Sequence, residues 1–211
     1  MAGRELEAAI PSMPQWRYAS LPVRLTAEET ERVLGAALDG SAHELRNRAM
    51  LLVLARMGMR ACELTQLMLD DIDWVEGCVR IRPGKSHRER RLPLPSEVGE
   101  ALCSYLQHER PASACRAVFL STREPYGPIL DSSVVSRTVR QAMTRAGATG
   151  IPAAAHALRH TAATQMVCRG ATFKEVADVL GHASLATTAI YAKLDLETLA
   201  HVALPWPGVR S

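Results

Sequence analysis

The chain has 211 residues, 47 % of them apolar and 22 % charged, with a formal net charge of +3. This is enough apolar material for one domain with a true core, with or without a tail, and it excludes a charge-rich disordered chain. No stretch approaches the ~20 apolar residues of a membrane helix, and the N-terminal MAGRELEAAIPSM is too polar for a secretory leader, so a cytoplasmic protein is expected. Five dispersed cysteines (Cys62, Cys78, Cys103, Cys115, Cys168) form no CxxC pair. They read as reduced thiols, expected to be buried as small apolar side chains.

In chain order, residues 1–24, punctuated by Pro11, Pro14 and Pro22, read as a tail or linker. The domain is expected over 25–201 and a C-terminal tail over 202–211. Thr26-Ala-Glu-Glu29 is a capping-box pattern that predicts an amphipathic helix to about residue 38. A second helix over 43–57 carries the most apolar run and is expected at the centre of the core, ended by Gly58. A third, short helix is predicted over 60–67. The apolar period then falls to two, so 78–82 and 90–94 read as the strands of a hairpin joined by a polar connection at 83–89. Helix is predicted again over 96–108 and a short strand at 118–120. Further helices are expected over 131–145 with Asp131 as cap, over 157–169, and over 172–180 from a second capping box. One more runs from Ser184 to Tyr191, and a last short one starts at Asp195. The fold class is mostly α with a small antiparallel sheet.

Four groups of residues could carry chemistry. In His156-Ala-Leu-Arg-His160, His156 and Arg159 share one face near a helix start, where the helix dipole and a guanidinium both favour an anion. A phosphate site with a proton-transfer group beside it fits that pattern. His156 and His160 also stand at a spacing that permits a metal pair, although the glutamate of an HExxH motif is missing. Leu180-Gly-His182 puts His182 on a turn. Tyr191 ends the helix that follows; a phenol with a pKa near ~10 is a poor nucleophile unless cations stabilise its oxyanion. Arg60 opens a helix after a glycine break, with Glu63 three residues on. Between Arg80 and Arg91, six basic residues (Arg80, Arg82, Lys85, Arg88, Arg90, Arg91) face one acid, Glu89. That patch suits phosphate contact or, equally, a solvated hairpin edge protected by charge.

In order and spacing these pieces resemble the tyrosine recombinase (phage integrase) family, which includes the Xer recombinases. The resemblance rests on Gly58-Met-Arg60-Ala-Cys-Glu63-Leu64, Gly84-Lys85, His156-Ala-Leu-Arg159-His160, Leu180-Gly-His182 and Tyr191, and it runs from about residue 22 to 200. It implies the DNA breaking-rejoining fold and site-specific recombination of double-stranded DNA, with six catalytic residues. Tyr191 would attack the scissile phosphate and form a 3′-phosphotyrosyl link. Arg60 and Arg159 would clamp the non-bridging oxygens, and Lys85 would protonate the leaving 5′-oxygen. His156 would act as acid or base on the tyrosine proton, and His182 would hydrogen-bond the phosphate. Glu63 and His160 are expected in support. Arg82, Ser86, Arg88, Arg90, Arg137, Arg140, Arg145 and Lys174 are expected to meet DNA. No metal or other cofactor is implied, since arginines offset the phosphate charge, and strand exchange needs no ATP.

Members of that family carry a helical core-binding domain ahead of the catalytic one. With only about 24 residues in that place, an excised catalytic domain is expected, or one of the short inversion-type recombinases. The segment from Asp195 to His201 resembles the helix that docks on a neighbouring protomer, which implies self-association and a synaptic tetramer on DNA; docking in cis is the alternative. Three other functions remain open on the residues alone: a DNA-binding module without catalysis, a metal-dependent hydrolase built on His156, His160 and His182, and a type IB topoisomerase.

Overall fold

The computed structural model describes residues 24–83, 89–148, 151, 154–182 and 188. The first helix, α1 (Ala27–Gly35), begins as the capping box predicts: Glu29 N–H donates to Thr26 Oγ1 at 3.1 Å, and Thr26 N–H donates back to the Glu29 carboxylate at 2.8 Å. These two bonds satisfy main-chain donors that the helix itself cannot. Just before it, Leu25 N–H donates to Thr161 Oγ1 at 3.0 Å, tying the entering chain to a helix far along the sequence.

The second helix, α2 (Glu44–Met57), is the axis of the core. Residues from Ala49 to Ala55 are all buried, so the helix has no polar face over that stretch. A helix apolar all round must be surrounded. It is packed by α1, α3 (Ala61–Thr65), α4 (Ser96–His108), α5 (Ser133–Arg145) and α6 (Ala154–Cys168). It ends on Gly58, whose φ of +64° is the left-handed conformation glycine adopts without strain.

The sheet has three antiparallel strands in the order β1 (Ile72–Asp73), β2 (Cys78–Ile81), β3 (Arg90–Pro93). In its register Val79 pairs with Leu92, and Ile81 with Arg90. Val79, Ile81 and Leu92 are buried, so the core face of β3 holds Leu92 and, by the two-residue period, Arg90. The strand β1 lies outside the expected hairpin. In place of the strand expected at 118–120 there are two isolated bridges, Met68 with Ala117 just before it and Leu120 with Pro128 at its end. Its three residues are nonetheless buried, and Phe119 stacks on Tyr105 with ring centroids 5.6 Å apart.

The helix α5 starts at Ser133 rather than 131, with Ser132 at the N-cap and Asp131 just before it, accepting from the Ser133 N–H at 2.8 Å. The last described helix, α7 (Phe173–Leu180), carries the second capping box and closes on Gly181 at φ +61°. Cys62 and Cys168 are exposed and the other three cysteines half-buried, contrary to the expectation of buried thiols. The helices expected at 184–191 and from 195, and the tails, lie outside the described residues except for the helical Thr188.

Candidate phosphate site at the end of helix α7

The last carbonyls of a helix have no partner within it, and they form the negative end of its dipole. In α7 the closing turn uses the carbonyls of Ala177 and Asp178, which accept from the main chain of Gly181 and His182. The next three carbonyls are met by three guanidiniums from three different elements. Val179 O accepts from Arg90 Nε at 2.8 Å, Leu180 O from Arg159 Nη2 at 2.6 Å, and Gly181 O from Arg60 Nη2 at 3.0 Å.

Each arginine is also held from a second side. Arg159, on α6 and only 5 % exposed, donates Nη1 to Gly58 O at 2.6 Å, so it bridges the C-terminal ends of α2 and α7. Arg60, the N-cap of α3, pairs with Glu63 at 2.8 Å, while its own N–H donates to the same carboxylate at 2.8 Å. Arg90 grips Glu63 with both terminal nitrogens, at 3.0 and 2.8 Å. Glu63, its side chain only 10 % exposed, is therefore a hub between two arginines rather than half of an exposed ion pair. Burial alone would raise its pKa, but Arg90, the Arg60 N–H and the Arg60 charge together hold it below the ordinary value.

Two glycines let these parts approach. A Cβ on Gly58 would lie 2.8 Å from Leu180 Cδ2, and one on Gly181 would lie 2.7 Å from Arg90 Nη1. Both also have left-handed backbones. The Gly-x-Arg and Leu-Gly-His motifs thus each contain a glycine demanded twice over, by conformation and by space.

The histidines sit around this cationic end. His156 is exposed near the start of α6, and its pKa is lowered by partial desolvation of the ring and by the charges of Arg159 and Arg60. His160, one turn on, has its ring centroid 6.1 Å from that of His156 and is shifted the same way, by burial, then by His156 and Arg159. His182 is pushed down to about 4, first by burial and then by Arg159, Arg60, His160 and Arg90. It is a neutral imidazole at pH 7, with Nδ1 2.8 Å from Thr188 Oγ1. When that hydroxyl donates to Nδ1, Nε2 carries the proton and can donate to an anion. Among the described residues no group of three or more His, Cys, Asp or Glu side chains is placed to hold a metal ion.

The chain brings Arg60, Glu63, His156, Arg159, His160 and His182 to one region. Lys85, Ser86, Arg88 and Tyr191 lie outside the described residues. The expected DNA contacts divide. Arg82 is half exposed and pairs with Asp71 at 2.9 Å. Arg137, Arg140 and Arg145 line an open groove of about 610 Å³ beside the start of α2, with Arg145 tied to Asp39 at 2.7 Å. Lys174 is exposed in the first turn of α7. Arg90 differs from the expectation: its side chain is only 10 % exposed and faces inward, with Nε and both terminal nitrogens bound within the protein. The signal was present in the strand period, which places Arg90 on the face of Leu92.

The sequence matches the phage integrase family over residues 23–197. It is 41 % identical over 204 residues to the Sinorhizobium fredii protein y4rA, assigned by name to integrases and recombinases, covering 97 % of this chain and 49 % of that one. A second S. fredii protein of the same naming, y4gC, is 37 % identical, with 89 % and 97 % of the two chains covered. Tyrosine recombinase XerD of Bifidobacterium longum is 37 % identical over 86 % of this chain and 61 % of its own. The chain spans about half the length of y4rA and of its homologue y4rF. Among solved structures, XerA recombinase superposes with a TM-score of 0.74 at 32 % identity, over 87 % of this chain and 64 % of XerA. XerH bound to its difH substrate after cleavage gives 0.73 at 27 % identity, over 89 % and 54 %.

Proposed function

The chain belongs to the phage integrase family, and on that premise we propose that it is the catalytic part of a site-specific tyrosine recombinase that cuts and rejoins double-stranded DNA through Tyr191. The observation that carries this reading is the convergence on the end of α7. Arg60 and Gly181 stand 121 positions apart in the chain yet share a hydrogen bond, and Arg159 and His182 join them there. Three guanidiniums against one carboxylate leave net positive charge, and His156, in the first turn of α6, lies near enough for the charges of Arg159 and Arg60 to lower its pKa. That is an anion site with proton-transfer groups at its edge.

In the proposed reaction, the phenolic oxygen of Tyr191 attacks the scissile phosphorus as the bond to the 5′-oxygen breaks. The tyrosine proton passes to His156, and Lys85 gives a proton to the leaving 5′-oxygen. Arg60 and Arg159 offset the charge that builds on the non-bridging oxygens, and they are already fixed before the phosphate arrives. His182, neutral, donates a hydrogen bond without adding charge. Rejoining is the reverse, with a 5′-hydroxyl attacking the phosphotyrosine; the phosphodiester energy is conserved, so neither ATP nor a cofactor is required. The DNA-bound state of XerH supports DNA as substrate here. The exposed Arg137, Arg140 and Lys174, with Ser86 and Arg88, are proposed to meet its backbone, and 195–201 to couple protomers in a synaptic tetramer. A cytoplasmic enzyme of a bacterium or mobile element fits the Sinorhizobium and Bifidobacterium relatives.

The test uses nicked suicide duplexes built from the DNA that flanks the gene. The wild-type chain forms an adduct resistant to SDS, and Tyr191→Phe forms none. A Tyr191→Phe protein that still traps DNA overturns the assignment of the nucleophile.

A further inference from the structure

Arg90 belongs to none of the motifs that mark the site, yet its guanidinium bonds both the carboxylate that holds Arg60 and the end of α7. It stands at the start of β3, where the connection that contains Lys85 rejoins the sheet. From there it makes a two-pronged ion pair with Glu63, the carboxylate that also holds the side chain and the N–H of Arg60. Its remaining bond goes to Val179 O, one residue before the carbonyl that receives Arg159 and two before the one that receives Arg60. Gly181 has no side chain where Arg90 passes.

We infer that Arg90 is a positioning residue of the phosphate site: it locks Glu63 against Arg60 and pins β3 to the end of α7, so that Arg60 and the end of α7 keep one fixed relation. This rests on the reading of Arg60 as a phosphate clamp. The physical argument is one of degrees of freedom. A carboxylate held by Arg60 alone can swing with it. A carboxylate gripped by a planar fork from a second element has its plane and position set, and Arg60 inherits that geometry. Lysine in place of Arg90 would keep the charge but supply neither the fork nor the simultaneous reach to Val179 O.

The experiment measures single-turnover adduct formation at saturating DNA, and duplex affinity separately. Arg90→Gln lowers the saturated rate by about ten- to a hundredfold while changing duplex affinity little, as expected when geometry rather than binding is lost. Arg90→Lys recovers only part of the rate. Arg91→Gln, which removes the same charge from the neighbouring exposed position, leaves the rate unchanged. Because Arg90 acts through Glu63, the effects of Arg90→Gln and Glu63→Gln are not additive. A saturated rate equal to wild type in Arg90→Gln, or additive effects in the double variant, overturns the inference.

A second readout needs no DNA. In wild type the Arg60 guanidinium protons give sharp NMR signals, and in Arg90→Gln they broaden although the backbone spectrum stays folded. Unchanged Arg60 signals also overturn the inference. A wild-type chain that forms no adduct while Arg60 responds to Arg90→Gln would instead count against the recombinase reading alone.

Discussion

Around the end of α7, Arg60 and Arg90 share one carboxylate, and these two and Arg159 each donate to main-chain carbonyls. On the outer surface Arg91, Arg116 and Arg145 each meet an aspartate of their own, Asp73, Asp70 and Asp39. The difference teaches how a folded chain keeps a positive potential. A carbonyl dipole satisfies a guanidinium without cancelling its charge, whereas an aspartate does both. The inner cluster is thus fixed in place and still cationic, and the outer pairs are neutralised locally and screened by water.

The largest expected effect comes from breaking the inner cluster at its most buried member. Arg159→Ala removes the donor to Gly58 O and Leu180 O. Adduct formation should fall by about 10²–10³-fold, as when one preorganised donor to a developing anion is lost. Stability should fall by ~1–3 kcal/mol, because buried carbonyls lose a charged donor. Denaturant titration beside the suicide-substrate assay checks both.

Acid sharpens the comparison. His156, His160 and His182 are all shifted below the ordinary value of 6.5, and His182 lies near 4. The unfolded chain therefore takes up protons in this range that the folded chain resists, so stability is full above about pH 6.5 and falls as the pH drops toward 4. Glu63, held below its ordinary 4.5, loses its contribution lower still. His182→Asn should flatten the upper part of this decline in melting temperatures measured from pH 7.5 to 4. A profile as steep as wild type would show that His182 is not the source.

The smallest effect is expected on the outside. Arg116→Ala breaks an exposed pair with Asp70 and should leave both the thermal midpoint and the rate of adduct formation unchanged. A loss of rate there would mean that the outer arginines also serve the site.

Much of this was legible in the residues. The capping boxes at Thr26 and Thr172, the all-apolar stretch of α2 and the left-handed glycines each act within a few residues, so local pattern locates them. The motifs around Arg60, Arg159 and His182 named the members of the site, because each has a distinctive local spacing. The role of Glu63 was only half visible: its bond to Arg60 is three residues long, but its fork from Arg90 spans 27. Arg90 was misread as a surface contact because it lies in a basic run, and composition outweighed the strand period that turned it inward.

By itself the sequence determined which elements form, where they stop and which side chains carry charge, since these follow from neighbours along the chain. Only the tertiary structure decided that three arginines from α3, β3 and α6 would end on three successive carbonyls of α7. That outcome depends on the packing of α2 against α6 and of β3 against α7. Buried carbonyls at a helix end accept whatever donors the packing brings, and nothing in the local sequence of α7 says which those will be.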